Sequence, residues 1–304
     1  MKIAVVLGGA SSEKDISLLT GLSIIDALSA KYDIEVIHIG SDISILPEKL
    51  LGANLVFNAL HGGIGENGDI QAFFDLHHIS YCGSGAKASR LAMDKHLSKL
   101  IAKAESIPTP KWILVKSDNF STQLLNQNSI KFDFPYIVKP ADEGSTVGLS
   151  LINNVSEIDD AINLAGKYST NILIEEYIPG RELTVGILGS KVLPIVEIIS
   201  DNELYDYDCK YTKGKSQYKV PAELPGKVAR KIQGDALKIY KAVGCRHYGR
   251  VDFRLNKKNE HYFLEINTLP GMTSTSLLPM AAQAAGLDFP DLADTIIKIA
   301  MVDQ

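Results

Sequence analysis

The first third of the chain alternates short apolar runs with stretches of helical spacing. Residues 3–7 are an unbroken apolar run that stops at Gly8-Gly9, as a strand buried on both faces does. Ile16, Leu19, Leu22, Ile24 and Leu28 then recur at helical intervals over 16–28. Further strands are predicted over 34–39 and 55–60, the second opening into His61-Gly62-Gly63-Ile64-Gly65-Glu66-Asn67-Gly68. Strand–helix–strand at this rhythm predicts a parallel sheet whose ligand edge lies at the strand C-termini.

A helix over 94–104 is stopped by Ile107-Pro108-Thr109-Pro110, which marks a boundary near residue 94. The middle third reads as strands over 112–115, 136–139, 149–152 and 172–177, with helices over 122–126 and from Ser156, as cap, to 168. A polar glycine loop, 141–148, lies among them. From residue 183 the pattern gives strands over 183–188 and 192–199, a helix over 225–243, strands over 248–256 and 261–267, and a last helical region beyond Pro270-Gly271. Between them, 201–219 is polar, rich in tyrosine and without periodicity; a stretch that long is a functional loop, and here a candidate lid. His77 and His78 fall on a helical stretch and receive no role.

Bulk properties narrow the class. The 304 residues, 45% hydrophobic and 22% charged, suit two or three soluble domains with a sizeable core. A net charge of −5 argues against a nucleic-acid partner. No apolar run approaches the ~20 residues that cross a bilayer, and the opening run is too short for a signal peptide. Cys82, Cys209 and Cys245 lie far apart, without metal or disulfide spacing, as reduced thiols of a cytoplasmic protein do. The chain has no Gly-x-x-x-x-Gly-Lys-[Ser/Thr], which excludes a P-loop, and no Gly-x-Gly-x-x-Gly after its first strand, which disfavours a dinucleotide site.

The most informative segment runs from Tyr248 to Asn267. Val251, Phe253 and Leu255 share one face of the first strand, with Arg250, Asp252 and Arg254 on the other. In the second strand Tyr262, Leu264 and Ile266 are expected on the apolar face, with Glu265 and Asn267 opposite. A hairpin with a four-residue loop, 257–260, pairs Asn256 with His261 and sets Asp252 against Glu265 and Arg250 against Asn267. Two carboxylates and an amide oxygen make an all-oxygen set suited to Mg²⁺, whereas without a cation the facing carboxylates repel. A solvated face in which Asp252 pairs with an arginine is the competing reading. Arg250, beside the set, can neutralise charge that develops in a reaction.

With Leu7-Gly8-Gly9-Ala10-Ser11-Ser12-Glu13, Leu60-His61-Gly62-Gly63, Met93-Asp94-Lys95, Val138-Lys139-Pro140 and Glu143-Gly144-Ser145 in one order, the chain resembles the ATP-grasp enzymes, specifically the D-alanine–D-alanine ligase family. Pro179-Gly180-Arg181-Glu182, Tyr207-Asp208-Cys209-Lys210-Tyr211, Gly249-Arg250-Val251-Asp252 and Glu265-Ile266-Asn267-Thr268-Leu269-Pro270-Gly271-Met272-Thr273 continue the match over nearly the whole length. The resemblance implies a mixed α/β and α+β architecture: a Rossmann-like domain over 1–93, then ATP-grasp subdomains over 94–182 and 183–304. It implies that one D-alanine carboxylate attacks the γ-phosphate of ATP, and that a second D-alanine's amine displaces phosphate from the resulting acylphosphate.

It also implies roles. Lys95, Lys139 and Lys210 bind phosphates, with Glu143 and Ser145 in a glycine loop that closes over ATP. Glu175, Glu176 and Ile178 meet the adenine, and Glu182 the ribose. Asp252, Glu265 and Asn267 hold two Mg²⁺ (or Mn²⁺) ions. Glu13 holds the first D-alanine's ammonium with Ser145 and Tyr211, and a tyrosine at the latter position goes with dipeptide rather than ester products. Arg250 and the Gly271 N–H stabilise oxyanion character, Ser276 receives the second carboxylate, and His61 lies near substrate. Thr275 departs from the histidine of several relatives. A cytoplasmic homodimer with small-molecule substrates is expected.

Overall fold

The structure, a computed structural model, describes residues 1–119, 132–200 and 216–303. The strands β1 (Lys2–Gly8), β2 (Asp33–Ile39) and β3 (Leu55–Asn58) form a parallel sheet in the order β2-β1-β3. Helix α1 (Lys14–Leu28) packs on β1, with α2 (Leu46–Lys49) and α3 (Asp69–Leu76) following. Gly8, at φ +99°, is required where β1 ends, because a Cβ there would stand 2.7 Å from the Ile39 carbonyl oxygen. The turn brings Glu13 to the sheet's C-terminal edge. His77 caps α3 and His78 lies beyond it at φ +53°, so neither is within the helix.

Helices α4 (Ala86–Met93) and α5 (Lys95–Ala104) meet at Asp94, whose carboxylate caps α5 by accepting the Leu97 N–H at 3.0 Å. Next comes an antiparallel sheet of β4 (Trp112–Lys116), β5 (Tyr136–Pro140), β6 (Ser150–Ile152) and β7 (Asn171–Glu176), in the order β4-β7-β5-β6. Helix α6 (Ile158–Ala165) covers it through Ile158, Ala161 and Ile162. The cap in this stretch is Asn154 rather than Ser156: its side chain accepts the Ser156 N–H and starts a 3₁₀ turn, Val155–Glu157, ahead of the helix. The helix predicted over 122–126 lies outside the described residues.

The third sheet is antiparallel in the order β10-β9-β8-β11-β12. Its strands are β8 (Arg181–Leu188), β9 (Lys191–Ser200), β10 (Ser216–Lys219), β11 (Tyr248–Leu255) and β12 (His261–Asn267). Strand β10 falls inside the stretch read as patternless. Helix α7 (Gly226–Val243), closed by Gly244 at φ +87°, shares a core with this sheet and with Ala88, Ala92 and Ala102 of α4 and α5. Helices α8 (Leu277–Ala284) and α9 (Phe289–Val302) join a different core, with Ile3, Val5, Ile24 and Phe57 of the N-terminal unit and Val196 of β9. Lys31 and Tyr32, just after α1, both donate to the Asp294 carboxylate of α9 at 2.5 Å. The chain's last helices therefore bind its first sheet to its last.

The β11–β12 register corrects one expectation. Arg250 pairs with Asn267 and Asp252 with Glu265, as read from the sequence, but Leu255, not Asn256, pairs with His261. A β-bulge between Asp252 and Phe253 absorbs the difference, and Leu264 is the extra residue. Below the bulge His261 and Phe263 face the core; above it Ile266 does. Tyr262 and Leu264 are therefore off the core face on which they were expected. The bulge leaves Leu264 and Glu265, consecutive residues, lining one cleft.

Candidate active site

That cleft lies between the second and third sheets and opens about 830 Å³ of space. Ile137 of β5, Leu149, Tyr177, Ile178 and Leu264 give one end an apolar lining. Arg254 of β11 braces this end by donating to the Ile178 carbonyl (3.1 Å), to Glu182 Oε2 (3.2 Å) and to the Tyr177 hydroxyl (3.4 Å). Glu176 is tied to the linker, its carboxylate accepting the Lys111 N–H at 3.2 Å. Apolar side chains beside a few ordered polar groups suit a heteroaromatic ring.

Next to the apolar end stand two buried lysines. Lys139 Nζ lies 3.1 Å from Glu175 Oε1, and Lys95 Nζ donates to the Glu143 carbonyl at 2.5 Å and lies 3.4 Å from Glu265 Oε2. Glu175 is almost inaccessible, and burial alone raises a carboxyl's pKa. Lys139 and Lys99 together outweigh burial, and the pKa is lowered. Its carboxylate is thus held by lysines at the end of the cleft where the resemblance sets the adenine. Burial raises the Glu143 carboxyl, helped by the charges of Asp142 and Glu13.

On the facing wall, Arg250 grips Asp252 through Nε and Nη2, both at 2.9 Å, and Thr184 donates to the same carboxylate. Asn267 Oδ1 accepts the Leu269 N–H at 3.0 Å, which fixes the amide and leaves its oxygen a second lone pair. Asp252 is thus paired with an arginine, as the competing reading had it, while Glu265 and Asn267 stand on the neighbouring strand with Lys95 3.4 Å from Glu265. Among the described residues no three His, Cys, Asp or Glu side chains converge as a metal cage. Two carboxylates and an amide fit an ion that takes its remaining ligands from phosphates and water, as Mg²⁺ does.

Past Lys95 and Gly144 the cleft continues into a smaller space of about 370 Å³, lined by Glu66, Met93, Glu265, Asn267 and Thr268. Here the N-terminal unit closes the site. The Ser145 hydroxyl donates to Glu13 Oε1 across 132 residues of chain. Ser145 and Thr146 have φ of +51° and +64°, a region costly for side chains other than glycine and common where a site dictates the backbone. Gly62 has φ of +63°, a conformation strained for any other residue, and a Cβ there would press on the other Glu13 oxygen at 2.6 Å. The His61 ring is fixed on both sides, by Glu66 Oε1 at Nδ1 (3.1 Å) and by Thr20 Oγ1 at Nε2 (2.9 Å). The Met272 N–H meets the same Thr20 oxygen at 3.4 Å, tying the Gly271 segment to α1. Ser276 precedes α8, and its hydroxyl accepts the Thr273 N–H at 3.1 Å and lies 2.8 Å from Thr273 Oγ1; a Cβ at Gly271 would stand only 3.1 Å from it. Thr275 Oγ1 lies 3.3 Å from Thr273 Oγ1.

The structure thus gathers Lys95, Lys139, Glu143, Glu175, Glu176, Ile178, Glu182 and Glu265 on one cleft. Arg250, Asp252 and Asn267 stand beside Glu265 in the sheet. Glu13 meets Ser145, His61 and Glu66 meet each other, and Gly271 packs on Ser276. Lys210, Tyr211 and the lid read over 201–219 lie outside the described residues, β10 apart. Sequence reasoning missed Lys99, Arg254, Leu264, Glu66 and Thr20. Lys99 gave no signal in the sequence; in the structure α5 turns a polar face inward, burying Lys95, Ser98 and Lys99 while Leu97 and Leu100 are exposed.

The family model described as D-ala D-ala ligase C-terminus matches residues 101–298. Proteins named D-alanine--D-alanine ligase from Pelotomaculum thermopropionicum and Aquifex aeolicus are 40% and 42% identical to the chain. The alignments cover 99% and 98% of this chain and 97% and 100% of those proteins. The crystal structure of D-alanine--D-alanine ligase from Bacillus anthracis complexed with ATP superposes with a TM-score of 0.88 at 33% identity, covering 100% of this chain and 98% of that one. The VanG D-Ala:D-Ser ligase from Enterococcus faecalis superposes with a TM-score of 0.85 at 29% identity, covering 98% and 99%. The fold is the ATP-grasp fold preceded by a Rossmann-like unit, as the sequence resemblance implied. On a family match over more than half its length and relatives matched end to end, the chain belongs to the D-alanine–D-alanine ligase family.

Proposed function

We propose that the chain uses ATP to join two D-alanines into D-alanyl-D-alanine, a peptidoglycan building block, through a D-alanyl phosphate. The reading is carried by one observation: buried lysines and an oxygen-donor set share a cleft whose far end is closed by the Glu13–Ser145 pair.

Glu13, with Ser145 on one oxygen, holds the ammonium of the first D-alanine, so its carboxylate faces the phosphates. Lys95 and Lys139, with Lys210, hold the phosphates in line, and Mg²⁺ (or Mn²⁺) at Asp252, Glu265 and Asn267 supplies further charge neutralisation when bound. A carboxylate oxygen forms a bond to the γ-phosphorus as the bond to ADP breaks. The second D-alanine, its carboxylate on Ser276, then attacks the acyl carbon through its amine. The amine gives up a proton, the C–N bond forms, and phosphate departs. Arg250 and the Gly271 N–H face the oxygen that gains charge in this step. Holding the partners together is the main contribution, an effect worth roughly 7–11 kcal/mol in well-oriented systems. His61, fixed between Thr20 and Glu66, shapes the end of the substrate space.

Tyr211 favours a dipeptide over an ester product. The D-Ala:D-Ser ligase among the similar structures makes D-serine the natural competitor to test. Incubation with ATP, Mg²⁺ and D-alanine should yield dipeptide and phosphate together, with D-serine and D-lactate poorer second substrates. Exclusive ester formation with D-lactate would refute the reading. We also propose a cytoplasmic homodimer: Cys82 and Cys245 are free thiols, and α1 exposes Leu19 and Leu22 by more than half.

A further inference from the structure

Lys99 has no place in the chemistry above, yet it is wholly buried, at 0% exposure, and an ammonium there is costly to bury. It lines neither cleft space. Its Nζ lies 2.8 Å from Glu175 Oε2 and donates to Thr109 Oγ1 at 2.8 Å. Each contact leads to a different wall. Glu175 uses its other oxygen on Lys139, 3.1 Å away, the lysine at the nucleotide end of the second sheet. Thr109 donates to the Phe263 carbonyl at 2.8 Å, and the Phe263 N–H donates to the Pro108 carbonyl at 2.8 Å. Phe263 immediately precedes the bulge that turns both Leu264 and Glu265 into the cleft.

We propose that Lys99 is a positioning residue that sets the two walls of the nucleotide cleft against each other, fixing Lys139 through Glu175 and the Leu264–Glu265 bulge through Thr109. The proposal deepens the reading of this cleft as the ATP site. Lys99 joins the two arms of the contacts Lys139–Glu175–Lys99–Thr109–Phe263, holding Glu175 of β7 directly and Phe263 of β12 through Thr109. It does so from α5, whose first residue, Lys95, faces Glu265. Hydrogen bonds with a charged partner in a dry interior are the strong ones, which suits an element that must hold two sheets in register.

The test compares Lys99→Met and Thr109→Val with the unaltered enzyme. Thr109→Val removes only the hydroxyl arm, keeps shape and charge, and serves if Lys99→Met does not fold. ATP affinity is read by equilibrium dialysis, separately from turnover, alongside the KM for D-alanine and the melting temperature. Lys99→Met should weaken ATP binding about tenfold, the size of one charge-assisted hydrogen bond, and Thr109→Val about threefold. The KM for D-alanine should change less than about twofold in both, as a uniform loss of structure would not allow. Folded variants that bind ATP as tightly as the unaltered enzyme overturn the proposal. So does a loss of ATP binding matched by a comparable rise in the D-alanine KM and a fall in melting temperature. Failure of the unaltered enzyme to make dipeptide would instead defeat the functional reading.

Discussion

Asp252 and Glu265 are direct cross-strand partners on β11 and β12, and Glu265 lines the cleft. Facing like charges are unfavourable in a sheet unless cations answer them. Here Arg250 answers Asp252 with two 2.9 Å hydrogen bonds, and Lys95 stands 3.4 Å from Glu265. On the proposal that Glu265 holds a divalent ion, Glu265→Ala removes a ligand at a partly exposed position. It should lower kcat by roughly 10²–10³-fold, the scale of single charge-stabilising contacts in active sites. Its thermal unfolding should stay within about 1 kcal/mol of the parent, as for other surface-proximal substitutions. Steady-state rates across a Mg²⁺ titration check this; unchanged ATP turnover would remove Glu265 from the ion site.

The alternation of Val251, Phe253 and Leu255 and the Asp252–Glu265 pairing were legible because a period of two assigns each residue to a face. The bulge was not. A hairpin loop of five residues and one of four are equally open to Asn256–Glu260, and only the core's demand for Phe263 settles the register. Lys99 was missed for another reason. Lysines are seldom fully buried, so Lys99 reads as solvated until Glu175, 76 positions away, is seen against it. Contacts across domains, such as Ser145 with Glu13, leave no periodic trace and were reached only through family resemblance.

The bulge gives a second expectation. Leu264 lines the apolar end of the cleft without being part of a core cluster. Leu264→Ala should raise the KM for ATP about three- to tenfold, by loss of apolar contact worth about 1 kcal/mol. Stability should fall by less than the ~2–5 kcal/mol of a core leucine truncation. Chemical denaturation together with ATP titrations separates the two quantities.

Asp294 supplies a pH dependence. Burial opposes its ionisation, but Lys298, Lys31 and Tyr32 outweigh burial and hold the carboxyl down to about 2. An unfolded aspartate titrates near 4, so the folded chain binds this proton less readily. The stability it contributes is therefore complete above about pH 4 and is lost as the pH falls toward about 2. Asp294→Asn should destabilise the protein by about 1–3 kcal/mol at neutral pH, the scale of lost charged hydrogen bonds. The gap between variant and parent melting temperatures should close on acidification. A gap that is constant from pH 7 to pH 2.5 would contradict the role given to this carboxylate.

The most direct test is a product assay with purified enzyme, ATP, Mg²⁺ and D-alanine, with phosphate and amino-acid products measured in the same samples. The expected result is one D-alanyl-D-alanine for each phosphate released, abolished when D-alanine is omitted. Phosphate release without dipeptide, or dipeptide formed without ATP, would contradict ligation in the Asp252–Glu265 cleft.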